Sequence, residues 1–254
     1  MTSPDGQPGD EGDVQSRREQ VVVVGIDLAW GERNPDGLCC VRGGLDGALV
    51  ETLTLSRGDD ELLATIHPRS DLAQVLAIDA PLICRNETGS RPVDREVHRQ
   101  FGRYQCGCYP VNRKLCQRPF RIAERLREKG FRCDWRIPRT GEGHMVEVYP
   151  HTALVRWFDL SERLRYKKGR VVDRRREFAR LQSLLEKLLL TERVEVPVAM
   201  REPIEASWTK DREDQLDALV CSLIGYHHWK YQGHQSQILG DEDSGFLVTV
   251  ASAV

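Results

Sequence analysis

No window of this chain approaches the roughly 18 consecutive apolar residues that a membrane-crossing helix needs. A spanning helix is therefore not expected. An excess of charge is missing too: 37 Lys and Arg stand against 39 Asp and Glu, a net charge of -2. That excludes a globally basic nucleic-acid-binding surface and leaves only local ones. Residues Met1 to Gln20 lack the apolar stretch of a secretory signal; rich in Gly, Asp, Ser and Arg, they read as a disordered tail. The eight cysteines include no Cys-x-x-Cys pair. Without a secretory signal they point to free thiols in a reducing, cytoplasmic setting. Cys106, Cys108, Cys116 and Cys133, with His98 and His144 nearby, match no familiar zinc-ligand spacing, which argues against structural zinc. No internal repeat is visible.

What the chain does have is 254 residues, 40% of them hydrophobic, enough to bury a sizeable core as one large domain or two small ones, of which a single domain over residues 21–254 is expected. Its most apolar stretch is Val21-Val22-Val23-Val24-Gly25-Ile26, a continuous run that predicts a strand buried on both faces. Asp27 ends it, followed by turn residues Gly31, Asn34-Pro35 and Asp36-Gly37. A carboxylate at that position either caps a loop or awaits a cation, because burying it alone is costly.

Leu38–Val41 and Leu49–Leu55 predict two more strands in an antiparallel meander, and Asp59-Asp60-Glu61 opens a helix that Pro68 ends. Leu72–Ile78 repeats the form of the first strand and stops at Asp79-Ala80-Pro81. A helical crossover makes the two strands parallel neighbours, and strands lie about 4.8 Å apart, so Asp27 and Asp79 could share one cation. Beyond Pro92 a helix carries Arg95, Arg99 and Arg103 at i, i+4 and i+8, which makes either a solvated face or a row of phosphate contacts. After the Gln105–Asn112 loop comes a helix from about Phe120 to Lys129.

Met145–Tyr149 predicts a fifth strand, in which Glu147 lies between two valines. If that strand lies beyond the Asp79 strand, Glu147 starts about 10 Å from Asp27 and needs a bend to share its metal. His151–Phe158 reads as a helix. From Arg163 to Arg180 nine Lys or Arg face only Asp173 and Glu177, and the helical pattern continues through Leu188. The last long helix, about Asp211 to Tyr231, sets Asp214 and Asp217 on a face beside its apolar stripe, where they complement the helix dipole or look inward. Phe246–Val250 predicts a final short strand.

GIDLAWGERNPDG, AIDAPL with NETGSRPVDRE, VEVYPH, and EDQLDALVC follow one another in this order. Together they resemble a family of predicted RNase-H-like nucleases long catalogued only as a domain of unknown function, over about Val21 to His228. The closing Asp214-Gln-Leu-Asp217-Ala218 also resembles the RuvC-type resolvases. The resemblance implies an α/β, RNase-H-like fold: a five-stranded mixed sheet, strands 1–3 antiparallel and 4 and 5 parallel to 1, with helices on both faces and helical insertions. It further implies metal-dependent phosphodiester cleavage in DNA or RNA. Asp27, Asp79, Glu147 and Asp217 would be catalytic, and Asp27, Asp79, Asp214 and Asp217 would hold Mg²⁺ or Mn²⁺, in a two-metal arrangement. Arg95, Arg99, Arg103, Asn112, Arg113, Lys167 and Lys168 would contact the nucleic-acid partner. Two other readings share the core: an actin- or sugar-kinase-like phosphotransferase, although Leu28-Ala29-Trp30 replaces the hydroxyl residue such enzymes carry after the first Asp, and a catalytically silent binding protein.

Overall fold

Strand β1 (Val21–Asp27) lies in the middle of a mixed sheet, with apolar layers on both sides, in the computed structural model, which describes residues 19–69, 71–139 and 141–252. The two layers explain its unbroken apolar run. Val21 and Val23 enter one apolar cluster, Val22, Val24 and Ile26 the other. Residues 1–18 of the expected disordered tail lie outside the described residues.

β2 (Asp36–Gly43) and β3 (Ala48–Ser56) pair antiparallel with β1 and with each other in turn. After α1 (Asp59–Ala64), β4 (Ala73–Ile78) returns parallel to β1 with Ile26 opposite Ile78. Then come α2 (Pro92–Phe101), α3 (Gln117–Glu128), the short β5 (Arg132–Cys133) and β6 (Gly143–Glu147), parallel to β4. The rest of the chain adds α4 (Pro150–Trp157), α5 (Val171–Glu192), β7 (Val194–Glu195), α6 (Glu202–Glu205) and α7 (Lys210–Lys230). It closes with a hairpin of β8 (Ser236–Asp241) and β9 (Gly245–Val250), a separate two-stranded sheet.

The central sheet has seven strands in the order β5-β6-β4-β1-β2-β3-β7, where the sequence pointed to five. The extra strands, β5 and β7, are two-residue edges that carry no periodic signal. The hairpin partner β8 (SQILGD) was equally silent, having little alternation. A further difference falls on the basic stretch. The helix expected across it starts only at Val171, so Arg163 to Arg170 are free to reach toward the sheet. Asp36 and Gly37, read as turn residues, begin β2. Asp36 is fully buried there, held by Arg118 of α3 at 2.6 and 2.8 Å.

α7 packs on the same sheet face as α2, α4 and α5, while α1 and α3 cover the other. The approach of α7 is unusually close. A Cβ on Gly25 would lie 2.1 Å from the Ala218 carbonyl oxygen and 2.3 Å from the Ser222 nitrogen, and one on Gly37 would lie 2.0 Å from the Asp214 carbonyl oxygen. Only glycine lets the helix backbone rest on β1 and β2 at this distance. The contact brings the N-terminal half of α7 against the end of β1. Among the described residues no helix is long and apolar enough to cross a membrane.

Candidate active site

The strands fix the first two carboxylates. The Asp79 amide donates to the Ile26 carbonyl at 2.9 Å, continuing the parallel register one step past the strand ends and leaving Asp27 and Asp79 side by side. Side chains alternate along a strand. Asp27 and Asp79 therefore continue the series of Val21, Val23 and of Val75, Ala77, on the α7 face. From α7, Asp217 is completely buried and Asp214 nearly so.

Two lysines and a tyrosine meet these carboxylates. The Tyr166 hydroxyl donates to Asp217 Oδ1 at 2.6 Å, and Lys167 Nζ lies 2.8 Å from Oδ2, an ion pair without hydrogen-bond alignment. Lys210 Nζ donates to Asp214 Oδ1 at 2.7 Å. Burial pushes the Asp27 carboxyl well above the ordinary range; Lys167 opposes this, and Asp217, Asp79 and Asp214 add to it. Asp79 rises to about 7, again through burial first, against Lys167 and with Asp217 and Glu147. Asp214 also rises, by burial, although Lys210 holds it back. Four carboxyls here meet two ammonium groups, and burial, reinforced by the neighbouring carboxylates, keeps protons on Asp27 and Asp79 to a higher pH than usual. Lys167 is held charged well beyond the normal lysine range by Asp217 and Asp27, which outweigh its burial.

These groups border a cleft of about 610 Å³ that includes Asp27, Asp79 and Asp214 along with Trp30, Tyr109, Arg163, Lys167, Lys168 and Lys210. His151 also lines it. Burial and the nearby Lys167 and Arg163 push its pKa well below the usual histidine value, so the imidazole is neutral, and its Nδ1 has no hydrogen-bond partner.

Glu147 borders the cleft but belongs to another group. In β6 it shares the parity of Met145, which faces the α1–α3 side of the sheet, and it pairs opposite Ile78. Arg91 grips it through two bonds, Nη2 to Oε1 at 2.6 Å and Nη1 to Oε2 at 2.8 Å, and the Leu82 amide donates to Oε2 at 3.1 Å. Arg91 is itself buried and bound to Asp94 at 2.8 Å. The alternation Met145-Val146-Glu147 carried this signal, since it sets Glu147 on the face opposite Asp27.

The remaining expected contacts fall away from the cleft. Arg95 donates to the Ser90 carbonyl, exposed Arg99 lies 3.5 Å from Glu96, and Arg103 contacts Tyr104 in a 3-10 turn beyond α2. Asn112 is buried, bracing loops through Gly89 and Leu115. Arg113 reaches toward Glu87 on the surface. Only Lys167 and Lys168 of that set line the cleft. The residues the sequence did not single out are Arg91, Tyr166, His151 and Lys210, whereas Arg163 opened the basic stretch already read as a candidate nucleic-acid contact. Tyr166 sat unnoticed because the stretch around it reads as helix and charge.

A metal's fit can be judged on donor chemistry and charge. Oxygen-only carboxylates suit hard divalent ions, and the surplus of negative charge would be relieved by one. Among the described residues, however, no three His, Cys, Asp or Glu side chains stand close enough to hold an ion as placed. The Lys167 ammonium stands among the carboxylates instead.

Fold and site together define a mixed α/β protein with a cluster of buried carboxylates at the carboxyl ends of two central parallel strands. A family model described as "Protein of unknown function (DUF429)" matches residues 25–244, and the chain belongs to that family. No curated protein and no solved structure matches it.

Proposed function

We propose that this protein is a divalent-metal-dependent nuclease of RNase-H-like architecture that hydrolyses phosphodiester bonds in DNA or RNA. The observation that carries this reading is the convergence of Asp27 at the end of β1, Asp79 just past β4, and Asp214 and buried Asp217 from α7, beside a cleft that the first three line together with cations. Asp27, Asp79 and Asp217 would hold Mg²⁺ or Mn²⁺, with Asp214 beside them. Such an ion supplies an activated water and stabilises charge on the leaving oxygen.

The chain's own groups do the rest. Tyr166 fixes the Asp217 carboxylate by hydrogen bonding to Oδ1, and Lys167 lies against Oδ2. Arg163 and Lys168 line the cleft where backbone phosphates would lie. Glu147 acts at a distance, fixing Arg91 and the Leu82 backbone beside the Asp79 turn.

The test compares wild type with Asp27→Asn in melting curves with and without Mn²⁺, beside cleavage assays on single- and double-stranded DNA and RNA. Metal at a hundred times its dissociation constant should stabilise wild type by about 2.7 kcal/mol. Asp27→Asn should melt at least as high as metal-free wild type, gain little from Mn²⁺ and cut orders of magnitude more slowly. An equal metal shift or an equal cleavage rate in the variant overturns the reading.

A further inference from the structure

Two exposed aromatic side chains border the cleft, and the core accounts for neither. Trp30 is 41% exposed and Tyr109 68% exposed. Trp30 packs into neither apolar cluster and enters no aromatic pair or hydrogen bond among the described residues. Yet its backbone is firmly held. The Ala29 amide donates to Asp36 Oδ1 at 2.8 Å, and Arg118, buried between Asp36 and Asp59, donates to the Ala29 carbonyl. A rigid loop thus presents a large free indole three residues past Asp27. On Tyr109 the hydroxyl is taken by Lys168, whose nitrogen lies 4.9 Å from the ring centre. The contact is made at the hydroxyl end and leaves ring surface open.

We propose that the substrate enters this cleft as an unpaired nucleic-acid strand, its bases stacking on Trp30 and Tyr109 while Arg163, Lys168 and Lys210 meet the backbone. This rests on the nuclease reading and names its substrate class. Three observations favour a single strand over a duplex. Aromatic faces serve unpaired bases, which a duplex keeps stacked internally. A cleft of about 610 Å³ is of the size that encloses a small ligand, a nucleotide or two, and not a groove for tracking a helix. The Arg95, Arg99 and Arg103 row that could follow a duplex backbone lies outside the cleft. The alternation of aromatic and basic side chains is what a sequence-tolerant strand binder uses.

The experiment measures binding of labelled strands of about 12 nucleotides, as single-stranded DNA, single-stranded RNA and duplex DNA, by fluorescence anisotropy in Mn²⁺ and in EDTA. Cleavage of the same strands is followed in parallel. Wild type, Trp30→Ala, Trp30→Phe, Tyr109→Ala and Tyr109→Phe are compared, with melting curves to confirm folding. Each alanine variant should bind single strands roughly 5- to 150-fold more weakly, each phenylalanine variant should recover most of that loss, and duplex binding should change little. Wild type binding duplex as tightly as single strands, or alanine variants binding single strands as wild type does, overturns the stacking proposal. Asp27-dependent cutting that persists in those cases leaves the nuclease reading standing. A wild type that neither binds nor cuts any of the three overturns both.

Discussion

Lys167 Nζ lies 2.8 Å from Asp217 Oδ2, in the midst of the carboxylates to which the proposed function assigns a metal ion. An ammonium in that position neutralises the cluster, but it also occupies the charge that a divalent ion would satisfy. Lys167→Met should therefore lower the melting temperature of the metal-free protein and tighten Mn²⁺ binding at least tenfold, equivalent to about 1.4 kcal/mol. Isothermal titration with Mn²⁺ decides it. Unchanged affinity would mean that lysine and metal do not compete.

The raised pKa of Asp79, about 7 against an ordinary 3.8, has a definite sign. Below the ordinary value both folded and unfolded chains hold the proton. Between about 4 and 7 the unfolded chain releases it while the folded chain keeps it, so the metal-free protein loses stability as pH rises through that window. Asp27 adds a contribution of the same sign. Asp79→Asn removes one part, at up to about 1.4 kcal/mol for each pKa unit. Urea midpoints in EDTA from pH 4 to 7.5 should fall less steeply for the variant. Parallel curves would show that Asp79 is not the titrating group.

Glu147 gives a contrasting expectation. Its carboxylate is clamped by Arg91 on both oxygens, and breaking such a buried pair from one side costs about 3–5 kcal/mol. Glu147→Gln should lose stability on that scale in urea titrations, yet keep far more cleavage activity per folded molecule than Asp27→Asn. A variant that is stable but inactive would return Glu147 to the reacting centre.

Gly25→Ala tests how the site is put together. Its new methyl would lie 2.1 Å from the Ala218 carbonyl oxygen, so α7 must move. Overpacking of this kind costs about 1–3 kcal/mol or more, and displacement of Asp214 and Asp217 should weaken Mn²⁺ binding beyond the loss of stability. Native-like metal affinity in a folded Gly25→Ala protein would show that the close backbone contact is not what sets these carboxylates.

The central strands were legible because their chemistry is local. β1 and β4 each announce themselves by an apolar run that ends in Asp, and parallel neighbours bring those ends together. The inward turn of Asp217 was readable from its border on the apolar stripe of α7. Other parts depend on what lies opposite in space. Nothing in the sequence around Arg91 shows that it is buried against Glu147, since surface arginines look the same. The Lys167 contact was hidden because the Arg163–Arg180 charges read as one helix, although a loop precedes Val171. The two-residue strands β5 and β7 form by edge pairing, which leaves no periodicity to detect.

The seating of α7 on Gly25 and Gly37 also sets an order of assembly. Asp27 and Asp79 belong to strands synthesised early, whereas Asp214 and Asp217 arrive near the far end of the described chain. Pairings so distant in sequence are slow to close. The cluster is complete only when α7, made after the other helices that share its sheet face, docks beside the first two carboxylates. Hydrolytic competence, in the proposed reading, then waits on α7, so that a chain truncated before Lys210 carries half a site.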